Sequence, residues 1–170
     1  LNRRPKLVSN GLSNMPSISF DGQNDYMNCG FSSNLSTPNT VFALFKTNTA
    51  DFQVVISGFN EFQDINYWFG GINLRIGADL VHFDKSAPFG FTIISGFFIN
   101  PISKIYENGV LKQSGFLANT SISGVTLGSY YGHDAAFLNG EISEIILYDA
   151  QLSSTDQIGV ERYLMDKYAP

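Results

Sequence analysis

A chain of 170 residues, 44% hydrophobic and only 15% charged, has the composition of a folded domain with a full apolar core and excludes intrinsic disorder. Its formal net charge of −5 repels a phosphate backbone, so no nucleic acid partner is expected. The lone Cys29 permits no internal disulfide, and apolar runs such as Phe97-Phe98-Ile99 are far too short for membrane insertion.

Fifteen Phe, eight Tyr and 16 Gly favour strands and turns over helices. Taken in order, short apolar segments between turn residues predict strands at 17–21, 24–29, 40–47, 52–58, 65–70, 72–77, 79–84, 89–98, 102–107, 110–114, 122–128 and 141–149. Between 40 and 47, Val41, Ala43 and Phe45 share one face. From 89 onward, Phe89, Phe91 and Ile93 share a face while Ile94 is apolar on the other, the pattern of a central strand covered on both sides. Asn108-Gly109, between alternating segments, predicts a tight hairpin, because both residues tolerate the positive φ of a type I′ turn.

Near the end the period changes. Ser154 and Gln157 read as N-cap and capping-box partner, and Val160, Tyr163, Leu164 and Tyr168 recur at helical spacing. One helix over 154–168 is expected, packed on the strands. No internal repeat or linker divides the chain, so residues 1–170 read as one domain. It opens at Leu1 with neither Met nor an apolar signal segment, as expected of a part cut from a larger protein.

Three stretches carry a family resemblance. Ile18-Ser19-Phe20-Asp21-Gly22-Gln23-Asn24-Asp25-Tyr26 resembles an opening "F-D-G-x-x-D-Y" strand pair. Ile105-Tyr106-Glu107-Asn108-Gly109-Val110 resembles a "Y-x-N-G" hairpin, and Gly140 to Asp149 with Leu152-Ser153 and the helix resembles a closing strand and helix. In this order they resemble the bacterial laminin-G-like branch of the concanavalin A-like lectin and glucanase superfamily. The resemblance implies an all-β, two-sheet antiparallel jelly-roll sandwich with one C-terminal helix against an edge or end. It also implies an extracellular or cell-surface setting and recognition of a glycan, polysaccharide or surface protein. The superfamily holds binding modules, structural spacers, hydrolases and lyases, so function has to be argued from a site.

Catalysis by paired carboxylates needs acids at alternate strand positions. Glu141 and Glu144 are three apart, which in a regular strand puts them on opposite faces as solvent-facing charges at a strand edge. The chain is therefore expected not to be an enzyme. Cys29 reads as a small buried side chain, and His82, alternating with Asp84, as a hydrogen-bonded structural histidine.

Two aromatic groups suit sugar binding, in which rings stack on C–H faces and polar groups bond hydroxyls. The first is the loop Gly128-Ser129-Tyr130-Tyr131-Gly132-His133-Asp134, with Tyr130, Tyr131, His133 and Asp134 as ligand-binding candidates. Its alternative reading is a loop whose tyrosines lie flat over the core edge. The second is Asn66-Tyr67-Trp68-Phe69, with Tyr67 and Phe69 on one face, Trp68 on the other and Arg75 on a neighbouring strand, which reads equally as core on one side. Calcium is the one cofactor considered: Asp21, Asn24 and Asp25 supply hard oxygens, with Asp134 as a further ligand. The same residues also suit a tight turn closed by side-chain bonds to their own backbone.

Overall fold

The computed structural model describes residues 3–59 and 62–169. Its strands are β1 (Lys6–Val8), β2 (Ser17–Asp21), β3 (Met27–Ser36), β4 (Asn39–Thr47), β5 (Gln53–Gly58), β6 (Gln63–Trp68) and β7 (Gly71–Ile76). They continue with β8 (Asp79–Asp84), β9 (Phe89–Phe98), β10 (Ser103–Glu107), β11 (Val110–Gly115), β12 (Ser121–Leu127) and β13 (Asn139–Tyr148), followed by helix α1 (Ser154–Tyr168). Two antiparallel sheets face each other. One has the order β1-β2-β13-β4-β9-β10-β11, the other β3-β12-β5-β6-β7-β8. The chain is an all-β sandwich with one C-terminal helix.

Alternation on β4 explains how three layers form. Val41, Ala43 and Phe45 point between the sheets, while Phe42 and Leu44 point outward, where Leu164 and Tyr168 of α1 cover them. Ile93 of β9 joins this outer cluster. Each such apolar side chain contributes roughly 1.5–3 kcal/mol when fully buried. The helix therefore lies on the outer face of the seven-stranded sheet, not at an edge or end. Its N-cap is Ser153, one residue earlier than the sequence suggested, with Ser153 Oγ accepting from the Asp156 amide. Its buried face carries Gln157, Glu161, Leu164 and Tyr168, with Glu161 accepting from Ser95 Oγ at 2.6 Å; Tyr163 is largely exposed.

Two of the irregularities in the first sheet move side chains across it. The β4–β9 register shifts between Phe45 and Thr47. Phe89 consequently joins Phe45, 5.8 Å away between ring centroids, and Tyr67 in the core, instead of sharing a face with Phe91 and Ile93. On β13 the register to β4 shifts between Ile142 and Glu144, so that Glu141 lies opposite Lys46 and Glu144 opposite Leu44. The extra residue, Ser143, brings both glutamates to the same outer face. They are not solvent-facing charges at an edge, because β13 runs between β2 and β4.

At the β10–β11 hairpin Asn108 and Gly109 have φ of 49° and 79°, as the turn requires. β3 begins later than the sequence suggested and runs to Ser36, because Asp21 Oδ1 accepts from the Gln23 and Asn24 amides and holds the preceding residues in a turn. Cys29, on this edge strand, is exposed and not a buried hydrophobe.

Candidate functional site

Asp64, Asn66 and Trp68 alternate on β6 with Ile65 and Tyr67, which belong to the core. Asn73 and Arg75 alternate on β7 with Ile72 and Leu74, and His82 on β8 with Val81 and Phe83. The outward side of the six-stranded sheet thus carries a polar ladder. Asp64, Asn66 and Asn73 are buried there, and buried polar groups have to be paired.

They are paired in a chain. His82 Nε2 meets Asp84 at 3.1 Å and Nδ1 meets Asn73 Oδ1 at 2.8 Å, the structural role expected of this histidine. Asn73 Nδ2 donates to Asn66 Oδ1 at 2.9 Å, and Asn66 Nδ2 donates to Asp64 Oδ1. Arg75 closes the chain on Asp64 Oδ2, with Nε at 3.0 Å. Burial opposes the charge on Arg75, but the Asp64 charge and hydrogen bond outweigh it and raise the guanidinium pKa.

Rings cover this ladder. The Arg75 guanidinium lies 4.4 Å from the centre of the Phe62 ring and 4.9 Å from that of Tyr130. Around it the rings form an unbroken row. Phe69 stacks on Trp68 at 3.9 Å, Trp68 meets Phe52 at 5.0 Å, and Phe52 meets Tyr130 edge-on at 5.3 Å. Tyr130 meets Phe62 at 5.5 Å, and Phe62 meets Tyr131 at 4.9 Å. The row joins the two aromatic groups that the sequence left as separate candidates.

The loop between β12 and β13 places Tyr130 and Tyr131. It leaves β12 at Gly128, where φ is 79° and any Cβ would run into the Phe20 ring at 2.3 Å. Its neck is closed by the Leu138 amide on the Gly128 carbonyl and the Val54 amide on the Ala136 carbonyl, both 2.9 Å. Its tip is a turn in which the His133 amide donates to the Tyr130 carbonyl. The His133 ring stacks on Tyr26, and its Nε2 lies 3.1 Å from Asn28 Oδ1. That imidazole pins the loop to the sheet on the side away from the row.

The sequence candidates therefore separate. Tyr67 is 3% exposed in the core, its hydroxyl accepting from the Ala87 amide, and presents no face to a ligand. Arg75 is buried and bound to Asp64, and Tyr130 is wedged among Phe52, Phe62 and Arg75, with burial raising its phenol pKa. Trp68 and Tyr131 stay half-buried, and Asp134 is exposed. Phe52 and Phe62 were not singled out in the sequence, and Phe69, read there as a strand residue on the face of Tyr67, lies instead in the turn between β6 and β7. Phe69 and Gly70 make that turn with φ of 54° and 75°, and Phe69 is 65% exposed. A bulky residue with left-handed backbone is unusual, and here it holds a ring out into solvent.

The calcium candidates are partly engaged in the turn, while Asn24 Oδ1 is buried without a hydrogen-bond partner. Asp21 Oδ1 is occupied by the two turn amides, and Asp25 Oδ2 accepts from the Asp21 amide at 3.2 Å. The cavity of about 290 Å³ beside them is also lined by Arg4 and Lys6, which repel a cation. Among the described residues no group of three acids, histidines or cysteines comes together to hold a metal.

Glu141 and Glu144 are likewise occupied. Glu141 pairs with Lys46 at 2.7 Å and accepts from Ser17 Oγ at 2.6 Å. Glu144 accepts from Lys167 and from the Tyr168 hydroxyl, both at 2.8 Å, and from the Tyr163 hydroxyl at 3.0 Å. Burial works to raise both carboxyls, yet these bonds hold them below the ordinary range. Two wider grooves lie away from the row. One of about 750 Å³ follows Gly30 to Pro38 with Leu147 and Asp149, and one of about 630 Å³ separates α1 from β13.

No family model and no curated protein matches this sequence. Solved structures do match in fold. Domain 4 of AbnA, an extracellular GH43 arabinanase from Geobacillus stearothermophilus in complex with arabinotriose, is similar with a TM-score of 0.74 and 16% identity; the match covers 94% of this chain and 82% of that one. The receptor-binding domain of botulinum neurotoxin C/D mosaic serotype is similar at 0.73 and 14%, covering 95% of this chain and 46% of the other. Trypanosoma rangeli sialidase in complex with sialic acid is similar at 0.67 and 12%, covering 95% of this chain and 28% of the enzyme. The chain shares its β-sandwich fold with parts of carbohydrate-active and receptor-binding proteins.

Proposed function

We propose that this chain is a carbohydrate-binding module, laminin-G-like in type, that serves recognition or adhesion outside the cell and performs no catalysis. The observation that carries this reading is the row of rings across the six-stranded sheet, held over a fully paired polar ladder and ending in the exposed Phe69. Sugars stack their C–H faces on such rings, and a rigid sheet beneath keeps the rings in place without an ordering cost at binding. Trp68, Phe69 and Tyr131 would make the contacts, and Asp134 would accept from sugar hydroxyls. Arg75, Tyr130 and His133 would hold the platform. The ion-paired states of Glu141 and Glu144 support a non-catalytic role, and the fold-mate in complex with arabinotriose adds weight to a glycan over a protein partner.

Affinity electrophoresis through gels containing soluble polysaccharides tests the proposal. Retardation of the wild type by at least one polymer is expected, with loss of retardation in Trp68→Ala and Phe69→Ala. Equal retardation of both variants and wild type would move the site elsewhere.

A further inference from the structure

The charges around the row narrow the ligand class. Arg75 is the one cation that contacts the row among the described residues, and its Nε and one Nη both donate to a single buried oxygen of Asp64. It is therefore neutralised from below, and with its side chain only 11% exposed against the Phe62 and Tyr130 rings it presents little of its remaining N–H groups to a ligand carboxylate or sulfate. A buried pair of this kind does not release its cation to an outside anion, because Asp64 would be left charged and unpaired away from water. Lys85, near the Phe69 turn, is bound to Glu107, whereas the side chain of Asp84 at that edge and Asp134 on the loop are exposed carboxylates. Arg3 is near enough to His133 to lower its pKa, and His133 itself is held by Tyr26 and Asn28. The polar ladder is satisfied within itself, so the ring surface rather than the ladder meets the ligand.

We infer that the row takes an uncharged glycan, and that chains bearing uronate, sialate or sulfate groups are rejected by the exposed carboxylates, with no unpaired cation against the row among the described residues to offset them. This inference rests on the binding role proposed above and adds the class of ligand. Recognition of a neutral polymer by ring stacking makes no use of counterion release, so affinity should be almost independent of salt.

The test compares neutral polymers (arabinan, xylan, galactan, glucomannan) with acidic ones (polygalacturonate, alginate, chondroitin sulfate, polysialic acid) by titration calorimetry at 20 mM and 500 mM NaCl, concentrations on either side of the screening range. Binding of at least one neutral polymer, changed less than about twofold between the two salts, is expected, with no heat from the acidic set. An acidic polymer bound more tightly than every neutral one, and weakened several-fold by salt, overturns the inference while leaving the binding role standing. Failure of all polymers removes the binding role and the inference together. Asp64→Asn supplies a second reading: with Arg75 released, measurable affinity for an acidic polymer should appear, provided circular dichroism shows the sheets intact. An intact Asp64→Asn protein that still ignores acidic chains would show that Arg75 is not what decides charge selection.

Discussion

The imidazole of His133 and the ring of Tyr26 lie face to face, 4.1 Å apart and within 3° of parallel. Burial and the charge of Arg3 hold the His133 pKa below its usual 6.5, against a smaller opposing effect of Asp134. The folded chain therefore favours neutral imidazole, and the unfolded chain takes up the proton first. This contribution to stability is complete above pH 6.5 and diminishes as pH falls through 6.5 towards the folded pKa. Melting temperature should decline from pH 7.5 to pH 5.5, and His133→Phe, which keeps a stacked ring without a titrating group, should flatten that decline. An unchanged slope in His133→Phe would assign it to another group.

Phe69 allows binding and stability to be separated at one position. Replacing it with Gly removes the exposed ring and relieves a left-handed backbone that disfavours side chains by roughly 1–2 kcal/mol. Loss of the stack on Trp68 works in the other direction. Phe69→Gly should keep its thermal midpoint close to the wild type and lose most glycan affinity, measured by differential scanning calorimetry and gel retardation.

Adjacent tyrosines should behave differently. Tyr130, wedged between two phenylalanines and Arg75, should lower stability by about 2 kcal/mol when cut to Ala. Tyr131 meets only Phe62 among the row's rings, and Tyr131→Ala should lower stability by less than ~1 kcal/mol while weakening binding. Urea denaturation of both variants distinguishes them. Equal losses would mean that Tyr131 also belongs to the support.

At the opposite sheet, Glu144 joins Lys167, Tyr163 and Tyr168 of the helix to β13. Its carboxyl is held below the usual 4.5, as are those of Glu107 and Glu141. A depressed carboxylate pKa contributes stability that is present above 4.5 and is lost as pH falls through the folded value. Acid unfolding should therefore begin below pH 4.5. Glu144→Gln should lose about 1 kcal/mol at pH 7 and show a shallower acid limb by far-ultraviolet circular dichroism.

Calcium should be irrelevant to both folding and binding, given Arg4 and Lys6 beside Asp21 and Asp25. Melting temperature and gel retardation should be the same in 5 mM calcium chloride as in excess chelator, concentrations well above the roughly millimolar affinity of weak extracellular calcium sites. A calcium-dependent rise in either would place an ion where the turn is described.

Alternation revealed most strands, because one face of each had to be apolar. The long polar edge strand β3 was only partly legible, since Ser32, Ser33, Asn34 and Ser36 carry no pattern that water-facing positions would impose. The two bulges were invisible for a different reason: an extra residue changes the parity of everything beyond it, and nothing in Ser143 or Phe89 announces it. The binding face was half legible. Tyr130, Tyr131, Trp68 and Arg75 stood out by composition, but their meeting depends on which strands neighbour one another. Phe52 and Phe62, which join the groups, look in sequence like ordinary residues at strand starts.

Trp68 is the one tryptophan of the chain, and it sits inside the row between Phe52 and Phe69. Intrinsic fluorescence excited at the indole band thus comes from the platform alone, with no background from the core or the helix. A sugar settling on Phe69 would alter the polarity around a single emitter, and an unfolding trace followed by that emission would report the state of the ring row itself. The molecule carries its own optical probe at the surface in question.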